Sequence, residues 1–362
     1  MTGPAEVGEI RALARDFAAS ALRPDVERWD AAGALDDAVV PRLAELGFLG
    51  MLVPEAHGGM GFDATAYAAA VEELAWGEPG VALLVAQSTI AADLIARRGS
   101  DDLRAAWLPD LAAGVKTACL AFSDPDGPDS ARDATRAERV TGAWRLHGCK
   151  RWVTNGARAD VAVVLAATEA GAVLFTAPRE SGYTAGPPLQ SMGFRAVPMV
   201  DLDFAGVMLD DGHLLAELGP DAPDNDTLGR ISTGAIAVGI AQAALEHAVA
   251  YAAEREQFGV PIRSFEGIQA KLADMAVRTE SARAMVGRAA ERAGDVSAAA
   301  MAKLTAADCA MFVTTEAVQI FGGYGYMRDY PVEKLMRDAK ATQIMHGPSE
   351  LQRLRIAQAL YS

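Results

Sequence analysis

A chain of 362 residues, 51% of them apolar, is long enough for two or three domains, each with its own core. Its 48 acidic against 33 basic residues leave a formal charge of −15, which argues against nucleic acid or anionic lipid as a general partner. Cys119, Cys149 and Cys309 are odd in number and scattered, the pattern of reduced thiols in a cytoplasmic protein, and His57, His147, His213, His247 and His346 lack metal-ligand spacing, so no metal site is expected.

The first stretch places Val7, Ile10, Leu13, Phe17 and Leu22 on one helical face with charges between them. It reads as an amphipathic docking helix, without the basic end, continuous apolar stretch and cleavage site of a signal peptide. Helical spacing continues through Leu43, Leu46 and Leu49 and the run TAYAAAVEELAW to about Gly114. No charge-free apolar run is long enough to predict a membrane span, and no membrane partner is expected. From about Cys119 the period changes: WRLHGCKRWVTN alternates, and VAVVLAAT, AVLFTAP and PMVDLDFAGVML are short β-branched runs between Gly, Pro and Asp. After PDAPDNDT helices resume, and Ile231 to Ala253 is apolar nearly all round apart from Glu246 and His247, so other helices or another subunit must cover it. The predicted domains are 1–117 (helical), 118–223 (β) and 224–362 (helical bundle). No repeat of solenoid period is present.

Three segments carry candidate chemistry. In REQFGVPIRSFEGIQAKLADM (255–275), Arg255 has the planar donor geometry to hold a phosphate and Phe258 can cover an aromatic ring, although an Arg before a Gly turn is also an ordinary helix end. In QIFGGYGYMRDYPVEKLMRDAK (319–340), paired glycines let a backbone approach a ligand, and the absence of GxGxxG after a strand excludes the dinucleotide fold. RWVTNGARAD (151–160) spaces an aromatic ring and a hydroxyl two apart, on one face of a strand, as a flavin or a plain sheet core would use them.

In order and spacing, these segments together with LGFLGMLVPEAHGGMGF, CLAFSDP and GCKRWVTNGARADVAVVLA resemble the acyl-CoA dehydrogenase family over essentially the whole chain. The resemblance implies an α+β multidomain fold: an N-terminal helical domain, a middle β-barrel domain and a C-terminal four-helix bundle, assembled as a homotetramer or homodimer. It implies FAD between the middle and C-terminal domains, completed by a neighbouring subunit. Matched residue by residue, Phe122, Ser123, Trp152 and Thr154 face the flavin, and Arg255, Phe258, Gln319, Gly322 and Gly323 hold the pyrophosphate and adenosine part. Ser349 and Glu350 begin the last helix, where backbone donors can meet an oxygen-rich ligand. Asp129, Arg230 and Gly347 fall at substrate positions.

The family oxidises an acyl thioester at its α and β carbons, with FAD as hydride acceptor and a carboxylate as base. The base is usually the Glu of an EGT element, which here reads His346-Gly347-Pro348. Some relatives place it instead before an Arg at a helix start, and that position is Gly229, before Arg230. Both carboxylate slots are therefore empty, which leaves two readings: loss of dehydrogenation, or His346 as the candidate base, placed first because imidazole titrates close to neutral pH without much help from its surroundings. Two further departures, Asp129 in SDPDGPDS and Glu266 where the family has Gln, add anions where a phosphate-bearing arm would pass, and they point away from ordinary fatty acyl-CoA. The expected activity is α,β-dehydrogenation of an unusual acyl thioester carried on CoA or on acyl carrier protein, with an electron-transferring flavoprotein as electron acceptor. The alternatives are a flavin oxidase or monooxygenase on the same fold, and a non-catalytic subunit paired with a Glu-bearing relative.

Overall fold

The computed structural model describes residues 2–125, 135–218 and 226–361. Pro4, at a position where a missing N–H leaves nothing unbonded, opens α1 (Pro4–Phe17). Its buried stripe is Ile10, Ala14 and Phe17. Leu13, predicted on that face, lies on the flank and is 42% exposed, because the small Ala14 occupies the centre of the contact. A π-turn over Ala18–Leu22 leads to α2 (Val26–Ala32) and α3 (Val39–Glu45). Asp63 then caps α4 (Ala64–Gly77), Glu78 caps α5 (Pro79–Arg98) and Ser100 caps α6 (Asp101–Ala112), each side chain accepting from N–H groups of the first turn.

The sheet domain follows as β1 (Ala118–Ala121), β2 (Arg136–Val140), β3 (Ala143–Thr154), β4 (Val161–Thr168), β5 (Gly171–Pro178), β6 (Thr184–Ala185), β7 (Met199–Asp210) and β8 (Leu214–Leu218). They join in the order β6-β7-β3-β2-β4-β5-β8, with β1 parallel to β4. One core gathers Cys119, Ala137, Trp144, Val164, Phe175 and Phe204 from strands across this order, so the sheet curls round on itself. The alternation predicted for Trp152 and Thr154 breaks down. The β3–β7 register slips between Lys150 and Val153, Trp152 takes a left-handed φ of 56°, and its ring turns outward to 50% exposure while Thr154 stays buried.

The C-terminal part comprises α7 (Thr227–Glu254), a hairpin of β9 (Glu256–Gln257) and β10 (Val260–Pro261), α8 (Glu266–Glu291), α9 (Val296–Phe321), α10 (Pro331–Thr342) and α11 (Ser349–Ala359). The apolar run predicted from Ile231 is the buried middle of α7. There α7 passes so close to α4 that a Cβ on Gly239 would lie 2.2 Å from the Glu72 carbonyl oxygen. Helices α5, α7 and the stretch Val296–Tyr326 are long and apolar enough to cross a membrane by length and composition, yet half or more of each apolar window is buried inside the protein. Sequence reading missed this because it looked for charge-free runs.

The three parts meet at a buried ion cluster. Lys334 on α10 lies 2.8 Å from Glu78 and 2.7 Å from Asp338, and Asp338 accepts the Phe194 N–H, from the loop before β7, at 2.6 Å. Burial pushes the Glu78 carboxyl up; burial also opposes the Lys334 charge, but Asp338 and Glu78 outweigh it and hold the ammonium protonated above its usual range. Lys334→Met should leave two buried carboxylates without their cation and cost about 3–5 kcal/mol, read by chemical denaturation.

A second prediction concerns acid. Arg23 donates to Nε2 of His247 at 2.6 Å, and burial, followed by the Arg23 charge, pushes this imidazole down to about 4. In the unfolded chain it titrates near ~6.5, so between the two values only the unfolded state binds the proton and stability falls as pH drops. His247→Gln should remove about 1 kcal/mol of the stability lost between about pH 7 and about pH 5, after allowance for the ring's partial exposure.

Candidate active site

Between α10 and α11 the chain reverses in a tight turn whose ends are joined by the Ser349 N–H donating to the Gln343 carbonyl at 2.9 Å. His346 and Gly347 both have left-handed φ, 53° and 87°. For a histidine that conformation is strained, and it persists where surrounding contacts over-determine it. Two fully buried side chains do so. Lys303 on α9 donates to the carbonyls of Gln343 (3.1 Å) and Gly347 (2.8 Å), and Gln352 on α11 donates to those of His346 (3.1 Å) and Gly347 (2.9 Å). Burial pushes the Lys303 ammonium down to about 8. Pro348 is the cap preceding α11.

The turn aims the His346 ring at the start of α7. Nδ1 lies 3.1 Å from each carboxylate oxygen of Asp226, and Nε2 lies 3.0 Å from the side-chain nitrogen of Gln87 on α5. The ring is 13% exposed. A Cβ on Gly229 would sit 2.1 Å from Nδ1 and 2.2 Å from an Asp226 oxygen. The two slots named from the sequence, 229 and 346, therefore converge on one point in space. Arg230, next along α7, is buried. Sequence reasoning missed Asp226 and Gln87. Once Gly229 was named, Asp226 one helical turn earlier was findable by spacing; nothing local to Gln87 pointed to it.

Phe122 and Ser123 follow β1 and are tied to the strand of Trp152, the Lys150 ammonium donating to the Phe122 carbonyl at 3.0 Å and the Arg151 N–H to the Ser123 carbonyl at 2.8 Å. The Arg151 guanidinium lies 5.5 Å over the exposed Trp152 ring. Asp129 lies outside the described residues. Among the described residues no group of three or more His, Cys, Asp or Glu could hold a metal ion.

At the far end of α7, Arg255, Gly322 and Gly323 line a cavity of about 440 Å³ with Tyr251, Phe321 and Tyr324. Tyr251 stacks on Phe321 with centroids 4.0 Å apart, and Arg255 lies 5.3 Å over the Tyr324 ring. A Cβ on either glycine would meet nothing, so this backbone is open to a ligand. Planar aromatic walls, a guanidinium and bare backbone fit the pyrophosphate and adenosine half of FAD. Phe258 is 95% exposed on the β9–β10 hairpin, and Gln319 is exposed on the last turn of α9; neither lines the cavity. Glu350 is exposed, and the Ser349 N–H is taken up inside the turn, so that one donor of the helix start does not face a ligand. Gly229 and Arg255 stand roughly 39 Å apart along α7 at 1.5 Å per residue, too far for one small cofactor to touch both ends.

The sequence matches the family models for the acyl-CoA dehydrogenase N-terminal domain over residues 4–115, the middle domain over 119–207 and the C-terminal domain over 226–361. The chain belongs to the acyl-CoA dehydrogenase family. It is 36% identical to an acyl-CoA dehydrogenase of Bacillus subtilis, over 97% of each chain. It also resembles the butyryl-CoA dehydrogenase structure from Megasphaera elsdenii, at 36% identity and TM-score 0.94 over 98% of each chain. A glutaryl-CoA dehydrogenase from Mycobacterium smegmatis, solved in complex with FADH2, matches at 30% identity and TM-score 0.93, over 98% of this chain and 94% of that one. The protein is an FAD-dependent oxidoreductase of this family. Arg255→Ala should keep the fold and weaken FAD retention at least about tenfold, as expected for one lost charge-assisted contact to phosphate and measured from flavin absorbance after dilution and gel filtration.

Proposed function

We propose that this protein dehydrogenates an acyl thioester between its α and β carbons, with His346 taking the α proton. The supporting observation is the ring itself: it fills the point where both family slots converge, is largely shielded from water and is held by contacts on both nitrogens. Bound FAD supplies the acceptor for the β hydride. The His346 N–H makes no hydrogen bond among the described residues and is free to polarise the thioester carbonyl. As the imidazole gains its proton it becomes a cation beside a forming enolate, and a shielded site strengthens that attraction.

The substrate class is an acyl thioester on CoA or on acyl carrier protein; the added anions Asp129 and Glu266 favour an unusual one over common fatty acyl-CoA. The assembly is a cytoplasmic homotetramer, or a homodimer, with an electron-transferring flavoprotein as acceptor. Assembly is supported by the distance between the two ends of α7, which lets one chain's Arg255 cavity serve the FAD beside another chain's His346. It is also supported by the exposed rings of Phe258 and Tyr326.

The test is anaerobic bleaching of the flavin by a panel of acyl-CoA and acyl-carrier thioesters. Removing a general base typically costs ~10²–10⁴ in rate, so His346→Ala should slow bleaching by about that factor. Unchanged bleaching in that variant would take His346 out of the mechanism, and rapid substrate-dependent oxygen uptake in air would reassign the enzyme as an oxidase.

A further inference from the structure

The His346 imidazole is gripped from two sides by groups of opposite hydrogen-bonding character. Asp226 presents both carboxylate oxygens to Nδ1 at 3.1 Å, and a carboxylate accepts only, so Nδ1 carries the ring hydrogen. On the other side the Gln87 side-chain nitrogen, a donor, lies 3.0 Å from Nε2. A neutral imidazole has one donor and one acceptor nitrogen, and this pair of contacts selects the tautomer with its basic lone pair at Nε2.

Asp226 also behaves unlike an ordinary residue in its place. It is the residue preceding α7, where an Asp side chain commonly accepts from the N–H groups of the first turn. Here it makes no such cap bond and is turned to the imidazole instead. The room for this arrangement comes from Gly229, one turn along the same helix, where a Cβ would overlap both the ring and the carboxylate.

We propose that Asp226 is the positioning residue of the base: it fixes the Nδ1–H tautomer of His346 and balances the charge of the imidazolium, in a space that exists because residue 229 is glycine. Gln87 marks the spot on Nε2 that the thioester α C–H takes over when substrate binds. In the step itself the Nε2 lone pair takes the α proton and the C–H electron pair becomes the new carbon–carbon π bond; bound FAD would supply the two-electron acceptor for the β hydride. Asp226 neither gains nor loses a proton. This proposal rests on the reading of His346 as the base, and the test separates the two.

The FAD-loaded enzyme is mixed anaerobically with butyryl-CoA and with butyryl-acyl carrier protein, and the limiting rate of flavin reduction and the thioester dissociation constant are measured for the parent, Asp226→Asn, Gly229→Ala and His346→Ala. An amide at 226 can present its NH2 to Nδ1 and so permits the wrong tautomer. The limiting rate should fall at least tenfold in Asp226→Asn and in Gly229→Ala, with FAD content and the dissociation constant unchanged, a split that a merely structural residue would not produce. A parental rate in Asp226→Asn beside an inactive His346→Ala overturns the positioning role and leaves the base in place. A parental rate in His346→Ala overturns the base. Should the variants not fold, or neither thioester react, ¹⁵N spectra of the histidine-labelled holoenzyme decide, with the His346 signals assigned by their loss in His346→Gln. A protonated Nδ1 and a bare Nε2 support the proposal, and the reverse tautomer overturns it.

Discussion

Everything in this molecule is referred to one buried ammonium. Lys334 sits between Glu78 and Asp338 where the N-terminal helices, the sheet and the C-terminal helices come together, and Asp338 holds the sheet by the Phe194 N–H. A buried ion cluster of this kind is weak as net stabilisation but demanding in geometry, because each charge is tolerable only with its partners in place. The elements it locks are those that build the site. Glu78 caps α5, which carries Gln87 further along, and Lys334 and Asp338 lie on α10, which runs directly into the turn bearing His346. A shift of one domain against the others would therefore break the cluster and move the contacts on Nε2 at the same time.

Within that frame the site is governed by exclusion. The space beside the start of α7 has room for one side chain, arriving either from residue 229 or from residue 346. With His346 there, a Cβ on residue 229 would overlap the ring. The missing carboxylate at 229 is thus a condition for the histidine at 346, rather than an independent loss. The turn that delivers His346 is held against its own backbone strain by Lys303 and Gln352, whose ammonium and amide donate to the carbonyls of Gln343, His346 and Gly347.

Much of the architecture was legible in the sequence because it is written in period and composition. The apolar run from Ile231 is the core of α7, the four segments read as strands after Cys119 are β3, β4, β5 and β7, and the motif order pointed to the family. Local geometry was less legible. A period-two reading placed Trp152 and Thr154 on one face, but a bulge needs only one residue in the left-handed region and leaves no mark in hydropathy. Leu13 was assigned to the buried face by spacing, whereas the approach of α1 to α4 selects the small Ala14. Within the site, motif matching found His346, Gly347 and Gly229. It could not find Gln87, which reaches the ring from α5 only through the tertiary fold. Ser349 was assigned a free donor by its position at a helix start, and the same tight turn that aims His346 uses that donor internally.

The central claim, that His346 accepts the α proton, is tested most directly by separating proton transfer from hydride transfer. An acyl thioester with sulfur in place of its β carbon can lose an α proton but has no β hydride to give, so the FAD-loaded enzyme in deuterated water should only exchange its α hydrogens. The account predicts deuterium at the α carbon with the parent enzyme and none above background with His346→Ala at equal flavin content; exchange at the same rate in both would contradict it.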